Sequence, residues 1–262
     1  MSLVAIAGDD ATTTTLALAA AWPVTDDVLV IEADPRGGSL AAWLDIPIAP
    51  SLSAVVTRAT AGEWSVIERL SRLTPSGPRV IPAPVRAVEA SRAVAESADS
   101  IFPTLASLAT PVVIADTGRY FGFAGLGAGG VAAVVAQSTL TVVVHRQAQQ
   151  SARAAAVRLE RLAECFEQLT SGGVETTLAV IGSAPFDPDE IARFVGAGAV
   201  VAPTVFELAD DPLAAAVLAG RSGVSQRRLL RLPLLRSSVA LAAFVSNRLT
   251  ELAAINRWKV DR

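Results

Sequence analysis

Gly8-Asp9-Asp10-Ala11, followed by four threonines from Thr12 to Thr15, is the stretch of this chain richest in groups that could meet a ligand. A glycine turn opening a helix leaves the first backbone N–H groups of that helix unpaired, and together with the helix dipole they can wrap an anion without a dedicated side chain. Gly8, Asp9, Asp10, Ala11, Thr12, Thr13 and Thr14 are therefore the candidate cofactor-binding residues. The competing reading makes Thr12 or Thr13 the helix cap. Three acids, Glu32, Asp34 and Asp116, follow apolar runs and form an acidic group at strand ends, where they could also cap neighbouring turns. Lys259 is the only lysine, so any positive charge near these acids must come from arginine; Arg36, Arg119 and Arg146 lie near strand ends, although solvated arginines are the expectation.

The elements that must position these residues alternate. Apolar runs Leu3–Ala7, Val28–Ile31, Val112–Asp116, Thr139–Val144, Thr176–Ile181 and Ala199–Ala202 read as strands, with Arg79–Pro82 a brief further one. Between them, helices are predicted from Thr12 to Ala20, over Ser39–Leu44, in the later part of Ser51–Leu73, over Ala87–Leu108 with a break at Pro103, over Val131–Gln137 and over Gln147–Leu169. Asp187-Pro188-Asp189-Glu190 and Asp210-Asp211-Pro212 each place a cap residue before an early proline, as helix starts do. Ser238–Trp258 closes the chain with an apolar face. Short, continuously apolar strands separated by helices imply an α/β fold, three layers α/β/α around a mostly parallel, doubly wound sheet. One domain over residues 1–262, with the helix 238–258 packed on it, is the expected organisation. Ligands of such sheets sit at the carboxyl ends of the strands, where Gly8, Asp34 and Asp116 all fall. The glycine-rich stretch Thr117–Gly130 reads as a loop at the same end.

Composition narrows the function. Of the 262 residues 52% are hydrophobic, enough for a sizeable core, and the net charge of −3 argues against a surface basic throughout. Cys165 is the only cysteine and His145 the only histidine, which excludes an internal disulfide and sites built from several Cys or His; Cys165 reads as a buried thiol. No run approaches the about 20 uninterrupted apolar residues of a membrane span, and no basic region precedes the first apolar run as in a signal peptide. A cytoplasmic bacterial protein is the expectation. A dinucleotide fold is the weaker reading: Gly8 is the sole glycine of the first turn, so G-x-G-x-x-G is missing, and only Glu32 stands where a ribose-binding acid would.

The order of these motifs resembles the ParA/MinD branch of P-loop ATPases, with a deviant Walker A motif. Glu32-Ala33-Asp34-Pro35 matches that family's second-strand acidic turn, Val112 to Gly118 its Walker B strand, and the likeness continues through Ala209-Asp210-Asp211-Pro212 to the last helix. The resemblance implies a P-loop NTPase-like fold, catalytic roles at the positions of Glu32, Asp34 and Asp116, and Mg²⁺ at Thr13, Asp34 and Asp116 if a nucleotide binds. It fails at the phosphate loop: Thr12 stands at the lysine that reaches the β- and γ-phosphates, and Ala7 at the family's second lysine. A unit charge pair ~4 Å apart is worth roughly 4 kcal/mol at an effective dielectric near 20. A helix N-terminus gives an anion only ~0.3–1 kcal/mol. Asp9 and Asp10 add repulsion. The balance opposes tight triphosphate binding, and opposes hydrolysis more, since phosphoryl transfer relies on cations.

The resulting expectation is a degenerate, non-hydrolysing pseudo-ATPase that requires no cofactor, with ATP or ADP and Mg as the lesser alternative. It would act as a regulator or scaffold in positioning, partitioning, septum-site placement or pilus and secretion assembly. Its partner would be another protein or a second copy, a homodimer through the strand-end face. The alternatives are a weak Mg-ATPase, or a binder of DNA or membrane surface through Arg221–Arg236, where Arg227, Arg228, Arg231 and Arg236 alternate with leucines; such a protein would sit at the membrane or nucleoid periphery. Arginines in water above leucines on the core is the plainer reading of that segment.

Overall fold

The computed structural model describes residues 3–23, 28–59, 63–74, 77–107, 111–119, 130–147, 151–199 and 201–260. In chain order the first half gives β1 (Leu3–Gly8), α1 (Ala11–Ala20), β2 (Val28–Glu32), α2 (Leu40–Trp43), α3 (Leu52–Arg58), α4 (Trp64–Leu70), β3 (Arg72–Leu73), β4 (Arg79–Ile81), α5 (Ala87–Ser100), α6 (Phe102–Ser107) and β5 (Val112–Asp116). The second half gives α7 (Gly130–Gln137), β6 (Leu140–Arg146), α8 (Ala152–Ser171), β7 (Thr176–Ile181), α9 (Pro188–Gly196), β8 (Val205–Leu208), α10 (Pro212–Leu218), α11 (Gln226–Leu229) and α12 (Pro233–Val260).

One eight-stranded sheet, ordered β3-β4-β2-β5-β1-β6-β7-β8, runs through the molecule. Each pairing is parallel except β3 with β4. Every residue of β1, β2 and β5 is buried, because helices cover both faces. Leu3, Ala5 and Ala7 point to one face with residues of α3 to α9; Val4 and Ile6 point to the other with α1, α2, α10, α11 and α12. This is the three-layer, mostly parallel doubly wound α/β/α fold. Register aligns the strand ends: Ile6 and Glu32 both lie opposite Asp116, and Gly8 lies opposite Val144.

Three boundaries differ from the sequence pattern. Of the expected strand Ala199–Ala202, residue 200 lies outside the described residues, and Ala199, Val201 and Ala202 are not in a strand. The edge strand is Val205–Leu208, its register set by the carbonyl of Thr204, which accepts from Leu178 N (3.0 Å) and the Thr177 hydroxyl (2.7 Å). The last helix starts at Pro233 rather than Ser238, since proline suits the first helical position, where no N–H is needed. Helix α8 starts at Ala152, capped by the Ser151 hydroxyl. By length and composition α12 could cross a membrane, yet Leu234, Leu235, Leu241, Val245 and Leu249 are buried in the core layer it shares with α1. The expected loop Thr117–Gly130 falls, over 120–129, outside the described residues. Cys165 is buried.

Candidate functional site

The sheet delivers Gly8, Glu32, Asp116 and Arg146 to its carboxyl edge. Between β1 and α1 there are only two residues, Asp9 and Asp10. Gly8 has φ 117°, and a Cβ there would stand 2.2 Å from the carbonyl oxygen of Val144, so the turn demands glycine. The Gly8 N–H donates to Gly118 O and the Asp9 N–H to Val144 O, both at 2.9 Å. Asp10 is left-handed, φ 52°, a conformation aspartate tolerates. It occupies the N-cap position of α1 without a side-chain cap bond, so neither Thr12 nor Thr13 is the cap. The N–H groups of Ala11, Thr12 and Thr13 form the open first turn of the helix.

Charge enters the turn from the side. Asp9 is nearly buried and pairs with Arg158 of α8; it also accepts from Arg146 N at 3.4 Å. Arg158 donates in addition to the Arg146 carbonyl at 3.1 Å. His145 Nδ1 lies 4.0 Å from Asp9, but burial, helped by the charge of Arg158, lowers the His145 pKa against the pull of Asp9, so the imidazole stays neutral near pH 7. Arg146 donates from Nη1 to Asp10 Oδ2 at 2.5 Å and from Nη2 to Asp210 Oδ1 at 2.6 Å. Arg36 grips Asp34 through Nε (3.0 Å) and Nη2 (2.5 Å). Arg36 is exposed and Arg146 partly exposed, as expected of solvated arginines, and each is also paired: Arg36 with Asp34, Arg146 with Asp10 and Asp210. Arg119 is exposed. Arg158 escaped the sequence reading because it lies 149 residues from Asp9 in an ordinary helix.

The acids divide by what they hold. Glu32 spends Oε1 on the N–H groups of Ser39 (2.6 Å) and Leu40 (3.0 Å) and Oε2 on that of Ala83 (2.9 Å). Burial raises its pKa and these bonds oppose the rise. Glu32 therefore ties the end of β2 to α2 and to the segment after β4. Asp34 packs on Gly118, where a Cβ would stand 2.1 Å from its Oδ2. Asp116 is wholly buried, its Oδ1 accepting from Gly118 N at 3.0 Å. Burial pushes its pKa up to about 7; the Thr12 hydroxyl opposes this, and the nearby charges of Glu32 and Asp34 add to it. Its Oδ2 has no hydrogen-bond partner among the described residues. The structure thus brings Thr12, rather than Thr13, to Asp116, whereas Thr13 lines a cleft with Asp10, Arg146 and Asp210. Thr14, another of the seven candidate binding residues, is buried inside α1 with its hydroxyl unpaired among the described residues.

The cleft measures about 430 Å³, within the range of small-molecule sites. Among the described residues no group of three or more His, Cys, Asp or Glu is set to hold a metal. Magnesium does not require one, because it is commonly held by one or two carboxylates together with a substrate's phosphates. The orphaned buried Oδ2 of Asp116 is a hard oxygen of the kind such an ion prefers. Asp116 thus offers one hard oxygen unpaired among the described residues, Asp34 offers none without displacing Arg36, and neither acid lines the cleft, whose lining includes the cation Arg146.

No protein-family model and no curated protein matches the sequence. Solved structures do match. The septum-site determining protein MinD from Pyrococcus horikoshii, complexed with Mg-ADP, superposes with a TM-score of 0.68 at 13% identity, covering 93% of this chain and 95% of that one. A ParA family ATPase from Chlorobium tepidum gives 0.64 at 14%, covering 92% and 97%. This chain has the ParA/MinD fold. The MinC:MinD cell division complex from Aquifex aeolicus gives 0.57 at 11%, covering 94% and 96%. The comparison corrects one expectation, that no cofactor is required: the MinD of this fold is a complex with Mg-ADP.

Proposed function

We propose that this protein holds a magnesium nucleotide as a structural ligand, does not hydrolyse it, and acts on protein partners as a regulator or scaffold in positioning, partitioning, septum-site placement or pilus and secretion assembly. The observation that carries the reading is the β1–α1 turn. Its two residues are both acidic, and Thr12, whose hydroxyl opposes the rise of the Asp116 pKa, stands where a phosphate loop gives a lysine to phosphate. Binding needs charge neutralised in the ground state, which Arg146 and Arg158 can do. Hydrolysis needs cations aimed at charge developing in the transition state, and the β1–α1 turn carries no lysine to supply one. A neighbour of the same fold is a complex with MinC, which supports a protein partner; self-association through the strand-end face in the cytoplasm belongs to the same proposal. The test is calorimetry with Mg-ADP and Mg-ATP beside a phosphate-release assay. Binding with no release above the protein-free rate is expected. Turnover abolished by Asp34→Ala or Asp116→Ala would establish a weak Mg-ATPase instead.

One observation favours a second surface. Arg227, Arg228, Arg231 and Arg236 are all exposed, and Leu230 stands 45% exposed among them, while Leu229, Leu234 and Leu235 are buried. A DNA or anionic membrane surface bound there would be released steeply by salt, and Arg227→Glu with Arg228→Glu would abolish the attachment. Salt-independent behaviour in a vesicle and DNA pull-down would remove this reading.

A further inference from the structure

A single side chain spans the mouth of the cleft. Arg146, the last residue of β6, joins Asp10 on the wall formed by the β1–α1 turn to Asp210 on the wall that precedes α10, with bonds of 2.5 and 2.6 Å. Both acids and the arginine line the cavity. The planar guanidinium fork suits two oxygens of one carboxylate or one phosphate, but here it is divided between two carboxylates 200 residues apart in the chain. The side chain of Arg146 is 40% exposed, so its charge is open to a ligand entering the cleft. Its main chain is braced from behind, where the carbonyl accepts from Arg158. Asp10, at the left-handed residue that starts α1, occupies the approach to the open N–H groups of that helix.

We propose that Arg146 is the phosphate-binding cation of this cleft, and that Asp10 and Asp210 are internal anions that hold its guanidinium until ligand phosphate takes their place. The inference rests on the nucleotide reading above and adds to it the residue that replaces the missing lysine and the two residues that compete with the ligand. Binding is then an exchange of anions on one cation, and the affinity for phosphate is set low by the protein's own carboxylates. A ligand without phosphate gains nothing from the exchange, so a nucleoside binds far more weakly than its diphosphate.

The test compares the full chain with Asp10→Asn, Asp210→Asn, Arg146→Gln and Arg146→Lys, using Mg-ADP and adenosine as probes in titration calorimetry, with thermal unfolding as the control for folding. Arg146→Gln weakens Mg-ADP binding by about tenfold or more and Arg146→Lys restores part of it, while each Asp→Asn change tightens binding by roughly three- to tenfold, one repulsive charge near the phosphates having been removed. The opposite signs decide the matter. If the bridge served only to hold the cleft walls together, breaking it from either end would weaken binding alike. Wild type that binds Mg-ADP, with both Asp→Asn variants unchanged or weaker, overturns the exchange and leaves the nucleotide reading intact. Binding by an Asp→Asn variant and not by wild type supports it. No binding by wild type or by either Asp→Asn variant overturns both.

Discussion

Replacing Glu32 tests the division of labour among the strand-end acids. Its carboxylate accepts three main-chain bonds, from Ser39, Leu40 and Ala83, at 2.6, 3.0 and 2.9 Å. Glu32→Gln keeps one oxygen able to serve Ser39 and Leu40, but turns an amide N–H₂ toward the N–H of Ala83, donor facing donor. One buried donor left unsatisfied costs about 1–3 kcal/mol. Glu32→Ala strands all three, a gross loss of roughly 3–9 kcal/mol by the same measure. That loss is offset by removal of a carboxylate whose burial already raises its pKa, so a net cost of about 2–5 kcal/mol is expected, consistent with the loss of a buried polar network. Urea unfolding monitored by circular dichroism measures it. Because the folded pKa lies above the unfolded one, the wild-type charge opposes folding as pH rises above the unfolded value near 4.5, so the deficit of Glu32→Gln shrinks between pH 5 and pH 8. An Ala variant as stable as wild type at both pH values would refute the assignment and return Glu32 to the list of catalytic candidates.

Three further outcomes follow from the same face. Asp116 has a folded pKa of about 7 against 3.8 unfolded, so it destabilises the fold progressively as pH rises from about 4 to 7; Asp116→Asn therefore gains stability relative to wild type at pH 8 and not at pH 4, read from paired denaturation curves. Gly8→Ala places a Cβ 2.2 Å from a backbone oxygen at φ 117° and is expected to cost at least about 3 kcal/mol or prevent folding, measured by the yield of soluble protein and the unfolding midpoint. Asp9→Ala frees Arg158, which is a third exposed, so its cost is nearer ~1–2 kcal/mol than the 3–5 kcal/mol of a fully buried pair, and it is reduced further in 1 M salt.

The fold was legible because its signal is local. Val28–Ile31 and Val112–Ile114 are unbroken apolar runs that only a strand covered on both faces requires, and Asp187-Pro188-Asp189-Glu190 writes out a capping box that the structure contains. Boundaries failed where a single residue had two meanings. Pro233 reads as a breaker within a leucine-rich stretch, yet it is the first residue of α12; Val201 looks like strand, yet it is 66% exposed and precedes the proline after which the edge strand begins.

The site was legible only in its carboxylates and hydroxyls, and the reason lies in how charge reaches it. In a phosphate loop the lysine sits inside the motif, where a sequence reading can look for it; here Thr12 stands at the position expected for it. The positive charge here comes from afar: Asp9 and Asp10 receive Arg158 and Arg146 across 149 and 136 residues of sequence, and Asp210 closes the bridge from a third element. No spacing rule links these positions. They meet because β6 lies beside β1 in the sheet and α8 follows β6, placing two arginines against the turn. Each acid of the turn meets a guanidinium, and under the proposal above an arriving phosphate competes for cations that are already engaged. That competition makes the Asp10→Asn and Arg146→Gln effects opposite in sign, which the charge of the isolated motif alone does not predict.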